Sequence, residues 1–377
     1  MKGAAMIEKK ITQSQLIAIG CCYVMGTIIV SVFISSVLGR ESWIAGPAGF
    51  VAFLPALLTF CALTKKYPGK SLFEINEEVF GPAAGRIMSG IYLVFFLSIM
   101  ALNVLESTNF LSFYVMPKTP SLAIAVVIVT ACVYSVKKGI LPLARVSTIF
   151  GIVSFVIVLF NLAMSLGNVS FGYLLPIFDH KPLDYVQGAH IAAAIPYGES
   201  VILLMLTPKV NEKANLKTSY IAIAVFTALI IMLLHIRETI SLGALASFPS
   251  LPSYEVVRMI NIADTLTRTE SLFALVLLSL TFFKMLILLY ICLSGISQIF
   301  RLGSYRHIAV MTGAFLTIYA LDAYGAPGNN IYWGKNVSPF IWTFFSLILP
   351  VFTLAFSAVK GPFLRIRGRA RRGEPRL

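Results

Sequence analysis

The chain has 377 residues, of which 58% are hydrophobic and only 12% charged, with a formal net charge of +14. Soluble domains carry about 25% charged residues, so this composition excludes a water-exposed globular surface and makes lipid the solvent. Five cysteines without a Cys-x-x-Cys pair and four scattered histidines support neither a disulfide framework nor a zinc site.

In a bilayer every backbone N–H needs an internal partner, so spanning segments are helices or closed barrels. A helix crosses in about 20 apolar residues. Runs of that kind recur along the chain, without the apolar–polar alternation of a barrel strand. They predict ten spans, numbered here in chain order: Ile11–Leu38, Trp43–Leu63, Ile87–Tyr114, Ser121–Val136, Val146–Leu166, Ala189–Leu206, Tyr220–Leu242, Leu272–Ile299, Ile308–Leu321 and Pro339–Val359. Spans 4 and 9 are short. The first run is too long for a signal-peptide core and lacks a small-residue cleavage site. The polar connections between spans are too short for a separate globular domain, which places function in the helical bundle or its partners.

Basic residues set the orientation. With the N-terminus in the cytoplasm, most fall inside, among them Lys9, Lys10, Lys65, Lys66, Lys70, Arg86, Lys137, Lys138, Arg145, Lys209, Lys213, Lys217, Arg301 and Arg306. Only Arg40, Lys118, Lys181, Arg258, Arg268 and Lys335 fall outside. That asymmetry follows the positive-inside rule and predicts both termini in the cytoplasm. The expected layout is a cytoplasmic N-terminus (1–10), a permease-like domain (11–359) and a basic cytoplasmic tail (360–377). The tail Arg365-Ile-Arg-Gly-Arg-Ala-Arg-Arg372 reads as a stop-transfer flank, with attraction to anionic membrane lipid as the alternative. The positive charge is a topology signal, and no nucleic-acid partner is expected.

Transporters built from inverted repeats place their sites at discontinuous helices in matching positions of the two halves. Dividing ten spans into repeats of about 11–166 and 189–359 pairs span 1 with span 6. Span 1 contains Gly20-Cys-Cys-Tyr-Val-Met-Gly26-Thr27, and span 6 contains Ile195-Pro196-Tyr197-Gly198-Glu199-Ser200. Proline in mid-helix removes a hydrogen bond, and freed backbone groups can hold a carboxylate or an ammonium. The expected breaks are Gly20 and Gly26 in span 1, Pro196 and Gly198 in span 6. A charge at mid-membrane costs at least about 2.5–3.5 kcal/mol and normally has a partner. Glu199 in span 6 and Lys284 in span 8 are therefore expected to pair. Glu106 and the Arg237–Glu238 pair lie nearer span ends, where snorkelling to the interface is an equal reading. No nucleotide-binding, kinase, nucleophile-elbow or zinc-protease motif occurs. Neither catalysis nor a cofactor is expected, and any energy coupling would draw on an ion or proton gradient.

Several segments resemble, in order, the spore germination permease family. They are Lys9-Lys-Ile-Thr-Gln-Ser-Gln15, Lys66-Tyr-Pro-Gly-Lys-Ser-Leu-Phe-Glu74, Leu175-Pro-Ile-Phe178, Pro196-Tyr-Gly-Glu199, Pro252-Ser-Tyr-Glu255, Arg258-Met-Ile-Asn-Ile-Ala-Asp264, Gln298-Ile-Phe-Arg301 and Tyr305-Arg306. Beyond Arg306 the likeness is in hydropathy alone. The family supplies the B-type subunit of nutrient germinant receptors and belongs to the amino acid–polyamine–organocation superfamily. The resemblance implies an all-α membrane protein with the leucine-transporter-type 5+5 fold. It also implies residence in the inner membrane of a spore and a small nutrient ligand such as an amino acid. The partners it implies are an A-type membrane subunit and a C-type lipoprotein. The ligand contacts it implies are Gly26, Thr27, Phe95, Tyr197, Gly198, Glu199, Lys284 and Met285. Two departures stand out: Tyr197 replaces a usual Phe, and a Pro common in the outer half of span 1 is missing. The Tyr197 hydroxyl is expected to alter ligand preference. The other functions to weigh are a proton-coupled amino-acid transporter and a pore-forming subunit without a ligand of its own.

Overall fold

The computed structural model describes residues 10–27, 30–165, 169–243, 252–258, 269–322 and 328–359. Residues 1–9, 259–264 and 268 and the basic tail 360–377 lie outside the described residues. Among the described residues, seven helices are long and apolar enough to cross a membrane, and three shorter apolar helices accompany them. Together they account for all ten predicted spans. Among the described residues there is no strand, only an isolated bridge between Ile11 and Val210.

Span 1 is two helices, Gln13–Met25 and Val30–Leu38. A tight 3-10 turn, Gly39–Ile44, leads into span 2, Ala45–Lys66, and Gly39 takes φ +49° at the reversal. Span 3 runs Pro82–Phe110 and continues as a wide π turn, Leu111–Val115. At 34 residues it is roughly 50 Å long and must tilt to fit a hydrocarbon layer of about 30 Å. Span 4 is Ser121–Val136 and span 5 is Ile140–Ser165. Span 6 covers Pro182–Ala192, a π turn Ala193–Tyr197 and a tight 3-10 stretch Gly198–Lys209. Spans 7, 8 and 9 are Leu216–Leu242, Thr269–Ile299 and Ala309–Asp322. Span 10 begins at Ser338–Thr343, widens over Phe344–Ile348 and continues helically to residue 359.

Local chemistry sets these boundaries. Thr12 and Gln15 form a reciprocal capping box at the start of span 1, and Ser71 and Glu74 form another. Each satisfies two backbone donors that the first helical turn leaves free. The second box opens Leu72–Phe80, a helix between spans 2 and 3 that the sequence reading left as connecting chain. It was hard to foresee because its polar residues, Glu74, Asn76, Glu77 and Glu78, break the apolar pattern. Span 5 starts six residues before the predicted Val146, directly after Gly139 at φ +95°. Arg145, expected in the connecting loop, is instead exposed on the second turn of this helix. Span 6 likewise starts earlier than predicted, with Pro182 in its first turn, where a missing N–H costs nothing.

Where helices lack room for side chains they carry glycine. A Cβ on Gly313 of span 9 would stand 2.7 Å from Val133 of span 4, so the two short spans interlock there. One large apolar cluster, with buried members from all ten spans, forms the core. The half-buried outer faces are rich in exposed Val, Ile and Phe, as a lipid-facing surface requires.

Candidate functional site

Two broken spans meet at the centre. The first helix of span 1 ends at Met25, and Gly26 and Thr27 form the turn that follows. Span 6 changes pitch without parting: its π turn contains Pro196, and Gly198 begins twelve residues of 3-10 winding. Runs of 3-10 helix beyond three or four residues are uncommon, and π turns cluster at functional sites. Thr27 and Pro196 line one small cavity of about 40 Å³. The basic ends of the same two spans are clasped together. Ile11 N–H donates to the Lys209 carbonyl at 2.8 Å, and Asn211 N–H donates to the Ile11 carbonyl at 2.9 Å. On the surface beside this clasp, Lys10 sits 2.6 Å from Glu212 and holds that carboxyl below its usual range.

At the junction, Lys284 of span 8 lies 2.8 Å from Glu199, with both side chains almost wholly buried at 2% and 3% exposure. The same ammonium donates to the Thr27 hydroxyl at 2.8 Å and stands 5.2 Å from the centre of the Tyr23 ring. Trp342 of span 10 donates its indole N–H to the other oxygen of Glu199 at 3.1 Å. Thus one ion pair joins span 6 to span 8, and its partners reach spans 1 and 10. Glu106 of span 3 lies within electrostatic reach of both Lys284 and Glu199. The wholly buried Tyr23 hydroxyl faces Glu199 and makes no hydrogen bond of normal geometry among the described residues.

Of the residues named from sequence, Gly26, Thr27, Glu199 and Lys284 come together here. The remaining ones are placed differently. Gly20 lies inside the unbroken helix Gln13–Met25, where a Cβ would meet Ile223 of span 7 at 2.3 Å; it is a packing glycine and not a break. Gly26 has φ −69°, open to any residue, so its need for glycine comes from span 8: a Cβ would approach the Leu280 carbonyl to 2.9 Å. Gly198 is pressed in the same way against Ser346 of span 10, 2.7 Å from the hydroxyl. Phe95 stacks on Phe345 at 4.1 Å and meets Trp342 edge-on at 5.3 Å, so it braces the tryptophan that holds Glu199. Met285, about 100° around the helix from Lys284, lines a separate groove.

Tyr197 also turns away from the junction. Its hydroxyl donates to the Gly46 carbonyl of span 2 at 2.8 Å, and its ring stacks on Phe53 at 5.4 Å. The expected change in ligand preference thus has no geometric basis. Tyr197→Phe should lower the thermal midpoint by the equivalent of about 1 kcal/mol, the worth of one buried hydrogen bond. It should leave ligand selectivity at the Lys284 junction unchanged; an altered selectivity would return the hydroxyl to the ligand.

The Arg237–Glu238 pair does not snorkel to water. Both side chains are 1% exposed. Glu238 meets His235 at 3.1 Å and accepts from the Ser253 hydroxyl, while Arg237 donates to the Ser253 carbonyl at 3.1 Å. The short helix Pro252–Arg258 covers them, a long-range contact invisible to hydropathy. Sequence reasoning also missed Trp342 and Tyr23. Tyr23 stood within the Gly20–Thr27 stretch, and Trp342 is one of three tryptophans in the chain.

Comparison with known proteins agrees with this architecture. The transporter MhsT, in complex with L-phenylalanine, superposes with a TM-score of 0.68 over 91% of this chain and 87% of its own, at 16% identity. Mhp1, a nucleobase-cation-symport-1 family transporter, gives 0.62 over 87% and 75%, at 12% identity. At such identities the likeness establishes the fold, the leucine-transporter type with interrupted spans 1 and 6. In sequence, spore germination protein KB of Bacillus subtilis (strain 168) is 23% identical over 327 residues, covering 84% of this chain and 86% of its own. Spore germination protein YndE of the same organism is 23% identical over 323 residues, with 84% and 87% coverage. Spore germination protein XB of Bacillus anthracis is 22% identical over 264 residues, with 69% and 73% coverage. The family described as "Spore germination protein" matches residues 10–323, and the chain belongs to that family.

Proposed function

We propose that this multi-pass membrane protein is the ligand-sensing subunit of a nutrient germinant receptor, and that its ligand is an amino acid bound at the Lys284 junction. The observation that carries the reading is the Glu199–Lys284 ion pair, 2.8 Å long and buried between interrupted spans. A buried ion pair is weak evidence of stabilisation, because desolvation offsets its attraction. A zwitterion can exchange it: the ligand carboxylate takes Lys284 and Thr27, and its ammonium takes Glu199 and Glu106. Two charge-assisted contacts then replace one, with no charge left alone.

The junction as described is closed. The cavity beside it, lined by Thr27 and Pro196 but by neither Glu199 nor Lys284, holds only about 40 Å³, far below the roughly 300–1,000 Å³ of ordinary small-molecule sites. The ligand must therefore favour a second, more open arrangement, and it can shift the balance only by its greater affinity for that state. In this reading the chain sits in the inner membrane of the spore, with its basic faces and both termini towards the cytoplasm. It acts with an A-type membrane subunit and a C-type lipoprotein. Spores carrying Lys284→Met should lose their response to the receptor's nutrient while still germinating through unrelated receptors. An unchanged dose response would contradict the assignment.

A second reading, a proton-coupled amino-acid transporter, is favoured by the transporter fold and by MhsT's complex with L-phenylalanine. Proteoliposomes holding the purified chain separate the two. A sensor binds labelled amino acid without concentrating it, whereas gradient-driven accumulation identifies a transporter. The family and fold relatives are permease-like proteins, not enzymes.

A further inference from the structure

The larger of the two cavities described here, about 550 Å³, does not belong to the Lys284 junction. It is a groove bounded by spans 3, 4, 5 and 8, open on the lipid-facing side of the bundle. On span 4 its lining extends from Ile128 to Tyr134, with Lys138 just beyond. From Ile128 to Ser135 the helix rises about 11 Å, most of the roughly 15 Å thickness of one hydrocarbon leaflet. The walls are apolar and bulky, including Phe150 and Phe282. Such walls suit a flexible chain better than a second helix, which packs closely where small residues line its path. Ser107, 4% exposed, also lines the groove, and its hydroxyl lacks a hydrogen-bond partner among the described residues.

Charge marks one end. Lys137 and Lys138 follow span 4, Arg145 lies on the first turns of span 5, and none forms an ion pair among the described residues. The sequence holds no Asp or Glu between Glu106 and Asp179, so nothing on spans 4 and 5 neutralises these cations. Lys138 stands 4.9 Å from the ring centre of Tyr134, which is 65% exposed at the position of an interfacial aromatic.

We propose that this groove is a specific site for one anionic phospholipid of the leaflet at the basic end of the bundle. One acyl chain lies along spans 4, 5 and 8, and the phosphate rests on Lys137 and Lys138. The chain would press on Met285 and Thr281 of span 8, next to Lys284 in sequence but on another face. Lipid bound there would brace the helix that carries the central ammonium. This assignment stands independently of which small molecule the Lys284 junction binds.

Native mass spectrometry of the full-length purified chain tests it, using phosphatidylglycerol and phosphatidylethanolamine with identical acyl chains. One phosphatidylglycerol should be retained in preference, and Lys137→Gln with Lys138→Gln should lower that preference about tenfold. Val146→Trp, which fills the groove, should release the bound lipid. Val225→Trp, on the exposed face of span 7, should retain it and serves as the control for a bulky lipid-facing substitution. Equal retention of the two lipids would overturn the proposal. So would undiminished binding in Val146→Trp, which would mean that only the basic headgroup patch, and not the groove, holds the lipid.

Discussion

Replacing Lys284 with Met should destabilise the protein more than replacing Glu199 with Gln, although the two form one ion pair. Removing one partner of a buried pair costs about 3–5 kcal/mol, because the other charge is left without compensation. Glu199→Gln leaves an ammonium that still donates to Thr27 and lies within electrostatic reach of Glu106. Lys284→Met instead leaves the buried Glu199 carboxylate with the Trp342 indole N–H as its hydrogen-bond donor and no cation beside it. The double variant should recover much of the loss, since a neutral pair leaves no buried charge uncompensated, yet its nutrient response should be absent. Thermal midpoints of the purified chain and germination of variant spores check the two parts separately. A double variant less stable than either single one would show that the pair is held by more than mutual neutralisation.

Gly26→Ala should impair the protein more than Gly20→Ala. The backbone at Gly26 is ordinary right-handed helix, so torsion is not at issue. The new methyl would stand 2.9 Å from the Leu280 carbonyl oxygen and 3.0 Å from Cβ of Lys284. A backbone carbonyl within a long helix cannot step aside, so span 1 must move off span 8 and loosen the contact between Thr27 and Lys284. Overpacking of this kind costs about 1–3 kcal/mol. At Gly20 the obstacle is the Ile223 side chain, with Cδ1 at 2.3 Å and Cγ1 at 2.7 Å, which has few rotamers in a helix but yields more readily than a backbone carbonyl. The expected result is a lower thermal midpoint and a right-shifted nutrient dose response for Gly26→Ala, with a smaller change in both for Gly20→Ala. Equal effects would return the two glycines to a shared role in unwinding span 1.

Much of the fold was legible because lipid leaves few options. Apolar run length gave ten spans, including the two that proved short. The central ion pair was legible for the same reason: Glu199 and Lys284 are costly alone at mid-membrane and cheap only together. Several motif residues also proved to have local physical roles. Thr12 with Gln15, and Ser71 with Glu74, cap helices, while Tyr305 donates to the Val136 carbonyl at 3.3 Å and anchors the end of span 4. What stayed hidden was side-chain direction and long-range cover. Hydropathy cannot say that Met285 faces away from Lys284, that Tyr197 reaches Gly46, or that the helix Pro252–Arg258 closes over Arg237. Trp342 was missed because only apolar character marks span 10, while its indole acts through a contact 143 residues distant.

The central claim is that an amino acid binds by taking over the charges of Glu199 and Lys284. Thermal stabilisation of the purified chain, measured across a panel of L-amino acids and sugars, tests it most directly. At least one amino acid and no sugar should raise the midpoint of the wild-type chain, and the increase should vanish in the Glu199→Gln, Lys284→Met double variant. An undiminished increase in that variant would place the ligand elsewhere and contradict the account.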